Sequence, residues 1–87
     1  MKFEYDPDKS AANKAKHGID FDEAQALWED PWLLEAPART DDEPRFIAIG
    51  KISARHWSGI YTLRKNKIRI ISVRRARKQE IEYYESS

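Results

Sequence analysis

The sequence predicts one α+β domain over residues 1–87, a mainly antiparallel sheet with helices on one face, in the order β-α-α-β-β-β-β-α. Three observations predict it. Two helix-start signals, Asp6-Pro7 and Asp20 with Glu23, fall early in the chain. Between Phe46 and Val73 the residues are β-rich and interrupted by turn chemistry. From Ala76 through Glu85 the pattern is helical again. With 87 residues there is room for one modest core, since a chain of this size buries only about 60% of its unfolded surface.

Each element has a local cause. Lys2 to Tyr5 alternates polar and aromatic, with Phe3 and Tyr5 on one side, as a short strand does. Asp6 can accept from the free backbone donors of a helix start, and Pro7 has no donor to lose at the first helical position. This helix should run to about His17 and stop at Gly18 in the left-handed cap position. Its expected inner face is Ala11, Ala12 and Ala15. Asp20 and Glu23 form a capping box with Asp in place of Ser or Thr, opening a second helix whose apolar face is Phe21, Ala24, Leu27 and Trp28. Pro31 ends it. Trp32 to Glu35 reads as a strand leading into a Pro- and Asp-rich loop, Ala36 to Pro44. Phe46 to Gly50, Trp57 to Leu63 and Ile68 to Val73 read as strands, with turns at Ser53 to Trp57 and at Lys65-Asn66-Lys67. Ile68 to Val73 is apolar on both sides, which suits a strand flanked by others. Trp28, Trp32 and Trp57 belong to the core or to a partner surface.

Composition excludes several classes. There are no cysteines, which for so small a domain favours a reducing compartment and removes thiolate zinc sites. With His17 and His56 the only histidines, a His-rich metal site is not expected either, and no cofactor motif is present. No apolar run approaches the ~20 residues of a membrane span, and the N-terminus lacks the apolar stretch of a signal peptide. The expected compartment is the cytoplasm.

The charge is polarised. Met1 to Pro44 holds 5 basic and 12 acidic residues, net −7, whereas Arg45 to Ser87 holds 11 basic and 3 acidic, net +8. No acid occurs between Arg45 and Gln79. Clustered Lys and Arg release counterions from phosphates, so the pattern fits a polyanionic partner; it equally fits an acidic half that covers a basic one. The last helix carries Arg74, Arg75, Arg77 and Lys78 at its entry and Glu80, Glu82 and Glu85 towards its exit, the reverse of what its dipole prefers by roughly 0.3–1 kcal/mol per charge. Arginines gathered at a helix N-terminus predict an anion site.

Metal-free RNA cleavage needs a base for the 2′-hydroxyl, cations for the phosphorane and an acid for the leaving 5′-oxygen. Arg64, Arg69, Arg74 and Arg75 lie on or beside strands expected to pair across the Lys65–Lys67 turn, and a guanidinium holds phosphate oxygens as a fork. Singly, each is as well explained as a solubilising strand residue. His17 is a candidate acid or base, or simply a cation at a helix C-terminus. His56 falls in the expected turn with no role. Tyr61, Tyr83 and Tyr84 could stack on bases or fill the core.

Asp6, Lys9, Asn13, Lys16-His17-Gly18-Ile19, Phe21 and Ala24, followed by Glu43-Pro44-Arg45, Gly50, Tyr61-Thr62, Arg64, Arg69-Ile70-Ile71-Ser72-Val73-Arg74-Arg75-Ala76, Glu80 and Tyr84, resemble the BrnT family. These are small ribonuclease toxins of bacterial type II toxin–antitoxin pairs. Tyr5 stands where such sequences often have Trp, and Val73 where Ala is usual. The resemblance implies a RelE-like fold, metal-independent endoribonuclease activity and growth arrest when unopposed. It implies a cognate antitoxin similar to BrnA, with a ribbon-helix-helix part, that binds the toxin directly; operator DNA would be met only through that complex. Carried over by position, Arg64 and Arg74 would stabilise phosphate and transition state, Lys16 and His17 would transfer protons or position phosphate, and Glu80 would act as base or arginine orienter. Arg45, Arg69, Arg75, Arg77 and Tyr61 are the expected RNA contacts. The alternative is a non-catalytic module that grips nucleic acid or docks an antitoxin.

Overall fold

The computed structural model describes residues 2–39 and 42–87. Five strands, β1 (Lys2–Glu4), β2 (Leu34–Ala38), β3 (Arg45–Ile52), β4 (Arg55–Arg64) and β5 (Lys67–Arg75), form one sheet in the order β1-β5-β4-β3-β2. β1 runs parallel to β5, and the other neighbours are antiparallel. Helix α1 (Pro7–His17) and a 3₁₀ helix (Glu23–Glu29) precede β2, and α2 (Lys78–Ser86) closes the chain. The fold is α+β.

The helix signals work as their chemistry requires. Asp6 Oδ1 accepts from the Asp8 N–H at 2.9 Å, and Gly18 ends α1 with φ 81°. Both capping-box bonds form: Glu23 N–H donates to Asp20 Oδ1 at 2.7 Å, and Asp20 N–H donates to Glu23 Oε1 at 2.9 Å. The box opens a 3₁₀ helix rather than an α-helix. Ala24 and Leu27, its buried residues, are spaced three apart, as Phe21 just before it is from Ala24, and three residues per turn stacks Ala24 and Leu27 in one line over the sheet.

The inner side of α1 corrects the sequence reading. Ala11, Ala12 and Ala15 are exposed, while Ser10 and Asn13 are buried. β1 ends at Glu4, opposite Arg69, so the outer edge of β5 beyond that point lacks a strand partner. Asn13 supplies one. Its Nδ2 donates to the carbonyls of Val73 (2.9 Å) and Ile19 (2.8 Å), and its Oδ1 accepts from the Val73 N–H at 3.2 Å.

The core lies between the Ile19–Leu27 segment and one sheet face, while α2 meets the opposite face, Glu80 on Ser58 and Tyr84 on His56, so the helices are not all on one face as the sequence suggested. Ile19, Phe21, Ala24 and Leu27 pack on Ala48, Trp57, Tyr61, Ile68, Ile70 and Val73. Gly50 lets the 3₁₀ helix approach, because a Cβ there would meet Leu33 Cδ1 at 3.0 Å, Asp30 Oδ2 at 3.1 Å and Leu27 Cδ2 at 3.2 Å. Trp57 is buried and Trp28 is half-buried against this core, but Trp32 is 72% exposed. Of the expected Ala36–Pro44 loop, β2 takes the start as far as Ala38, and residues 40 and 41 lie outside the described residues. No helix among the described residues is long and apolar enough to cross a membrane.

Candidate functional site

The sheet face turned away from the 3₁₀ helix gathers the arginines. Trp57, Gly59 and Tyr61 face the core, so alternation turns His56, Ser58, Ile60, Thr62 and Arg64 outward. Arg74 pairs with Ser58 and Arg69 with Thr62, which puts both on this face. Strict alternation would set residues 69 and 74 on opposite faces. A bulge resolves the conflict: Ile60 pairs with Ser72 and Tyr61 with Ile70, leaving Ile71 as an extra residue. Arg45, preceding the core-facing Phe46, joins them from β3. Four arginines from three strands thus share one face.

Arg74 sits where β5 runs into α2, and its fork is filled. Nη1 and Nη2 donate to Glu80 Oε1 and Oε2 at 2.7 and 2.8 Å. The same carboxylate accepts from Ser58 Oγ (2.9 Å) and from the Arg77 N–H (2.8 Å) at the start of α2. The Arg74 hydrogen bonds, more than any other contact, pull the Glu80 carboxyl down to about 2 despite its burial, and the same pairing raises Arg74. The anion that meets Arg74 and the N–H at this helix entry is the chain's own Glu80 carboxylate.

The other end of the face is looser. Arg69 Nη1 lies 3.0 Å from Glu4 Oε2, and Arg64 Nη2 lies 3.4 Å from Glu43 Oε2, the latter pair largely exposed. Arg45 is half-buried, and its Nε has no hydrogen-bond partner among the described residues. Between the two ends, Ile47, Ile60 and Ser72 are only half-buried.

Other expected site residues lie elsewhere. Arg75 is on the helical face, its guanidinium 5.5 Å from the Trp57 ring centroid. Tyr61 is buried among core aromatics and donates its hydroxyl to Glu35; burial and that bond raise its pKa. Arg77 is exposed at the α2 entry. Lys16 and His17 end α1, which runs beside β5. His17 stands about 6 Å further along the helix axis than Asn13, the residue bonded to Val73.

Two polar groups on the arginine face escaped the sequence reading. Ser58 is one, through its bond to Glu80. His56 is the other. It lies in β4, because the turn before it is confined to Ser53 and Ala54; its Nε2 is 2.7 Å from Glu85 Oε2 and its ring meets Tyr84 edge-on at 5.4 Å. Alternation counted back from the core-facing Trp57 was the available signal for both.

Fold and face together define a small α+β domain with a cationic sheet surface, of the kind that meets polyanions. The chain belongs to the family described as ribonuclease toxin, BrnT, of type II toxin–antitoxin system, whose model matches residues 5–80. The match takes in Lys16, His17, all four arginines of the open face and Glu80. Membership makes the chain a ribonuclease toxin of a type II pair, with an antitoxin as the implied partner. None of the curated proteins matches the chain significantly.

Proposed function

We propose that this chain is a metal-independent endoribonuclease of RelE-like architecture that acts in the cytoplasm, arrests growth by cutting RNA on its open sheet face, and is neutralised when an antitoxin binds it directly. The observation that carries the reading is the set of four arginines on one face of a BrnT-family chain. The chemistry is assigned to side chains alone, as the family resemblance implies. Arg74 carries the scissile phosphate and the charge that builds on the phosphorane, where a planar fork is worth more than a point charge, while Arg64, six residues along β4 from Ser58, holds a phosphate further along the RNA. Arg45 and Arg69 grip neighbouring phosphates, and Arg77 extends that grip beside Glu80. Arg75 and Tyr61 would require RNA to reach the helical face as well. Glu80, ionised and hydrogen-bonded through both oxygens, is a positioning residue for Arg74 rather than a base. Lys16 and His17 serve proton transfer for RNA laid across the β5 edge. The partner is an antitoxin similar to BrnA with a ribbon-helix-helix part, and operator DNA is reached only through the complex.

The purified protein is expected to degrade RNA in excess chelator. Arg74→Ala should lower cleavage by a factor of about 100 or more, the scale of losing one transition-state donor, with the circular dichroism spectrum unchanged. Undiminished cleavage by that variant would remove the site. A second reading is favoured by the filled fork of Arg74: the face holds nucleic acid or the antitoxin without cutting. Salt-sensitive binding of RNA that stays intact, together with harmless expression in bacteria, would select it.

A further inference from the structure

We propose that the tip of the β4–β5 hairpin is a second phosphate-binding site, gripping the backbone of single-stranded RNA several nucleotides from the phosphodiester held at Arg74. Lys2, Lys67 and Arg64 face one another across three adjacent strands, Lys2 opposite Lys67 and Lys67 opposite Arg64. Strands lie only about 4.8 Å apart, and like charges set directly opposite destabilise a sheet. The fold gains nothing from this row. Lys65 adds a fourth cation at a cost of its own: Lys65 and Asn66 form the two-residue turn with φ of 48° and 66°, left-handed positions that Asn and Gly fill far more readily than Lys. The ion pairs at this end are Arg64–Glu43 and Arg69–Glu4, and among the described residues no carboxylate comes within ion-pair distance of Lys2, Lys65 or Lys67. A groove of about 490 Å³ lined by Glu4, Arg64, Lys65 and Lys67 opens between them.

Position along the sheet sets the ligand. Six residues of β4 separate Arg64 from Ser58, the partner of Arg74, which is about 20 Å of strand. One phosphodiester cannot touch both ends, whereas an extended strand can run from one to the other over the half-buried Ile60 and Ile47. Attack by a 2′-hydroxyl needs a nucleotide freed from helical stacking, which makes the strand single. The proposal rests on the ribonuclease reading for its substrate, and its test is independent of cleavage.

The test uses the whole chain with Lys65→Gly and Lys67→Thr together, replacements that suit the left-handed turn and the strand. The probe is a labelled 2′-O-methyl oligonucleotide of about 12 nucleotides, which cannot be cleaved through its 2′-oxygen, titrated across a range of salt. Two lost phosphate contacts should flatten the slope of log affinity against log salt by about 1.4. Thermal unfolding should hold steady or shift upward, since repulsion has been removed. A slope equal to the wild type's would overturn the proposal. So would a variant that loses affinity for polyglutamate but keeps it for the oligonucleotide, because the tip would then serve an acidic polypeptide. Failure of the ribonuclease reading shows separately, as unmodified RNA left intact by the wild type.

Discussion

Asn13 spans two parts of the chain 60 residues apart, and its amide has one partner at Ile19 and two at Val73. Asn13→Ala would leave buried backbone groups of β5 unpaired, at about 1–3 kcal/mol for each group that no other donor or acceptor reaches. The urea midpoint should fall accordingly, and an unchanged midpoint would mean that water replaces the amide. The sequence reading chose the alanines as the inner face because small side chains favour close packing. Nothing local in Asn13 betrays a partner that far along the chain. Glu80 offers a pH readout at the same scale. Its carboxyl is pulled below its ordinary value of 4.5 to about 2, chiefly by Arg74. Depressed in the folded state, it contributes stability that is fully present above about pH 4.5 and lost as pH falls towards 2. Stability of Glu80→Gln should be lower near neutrality and lose less across that window. Parallel acid-unfolding curves for the two proteins would remove Glu80 from the account.

The turn and cap elements were legible because their signals are local: Asp6-Pro7, Gly18 and the Asp20–Glu23 box each act within a few residues. The helix type after the box was not, since a three-residue apolar spacing is also compatible with an α-helix until the sheet beneath selects one line of contacts. Gly50 tests that seating. A methyl group there would press on Leu27, Asp30 and Leu33, and overpacking of this kind costs typically about 1–3 kcal/mol. Gly50→Ala should therefore lower Tm by roughly 4–8 °C per kcal/mol lost, readable by calorimetry. Asp30 ties the same region to α2 by accepting from Tyr84 Oη (2.6 Å), the Lys51 N–H and the Trp32 N–H. Burial works to raise its carboxyl, but these bonds together outweigh it and hold the group below its ordinary value.

Across the whole molecule, few of the ion pairs among the described residues join the acidic half to the basic one. The ion pairs recorded between the halves are Glu4–Arg69 and Glu43–Arg64, while Lys14–Glu23, Arg74–Glu80 and His56–Glu85 stay within a half. Of the two explanations open at the level of sequence, an outward-facing cationic surface is the one this pairing favours. The sheet was legible from β-rich runs and turn residues, as was the presence of arginines on neighbouring strands. Which of them share a face was not, because that depends on one unpaired residue in β5.

That residue acts as a phase shift in a two-beat rhythm. Were Ile71 to take an ordinary place in the ladder, everything after it would change sides: Val73 would turn to solvent, Arg74 would be driven into the oily interior, and α2 would arrive with Glu80 facing no guanidinium. Because Ile70 and Ser72 already face consecutive residues of β4, the position should accept many side chains and even its own deletion. An in-frame codon gained between Val73 and Arg74, by contrast, would turn Arg74 to the opposite face and disarm the toxin while β2, β3 and β4 could still find one another.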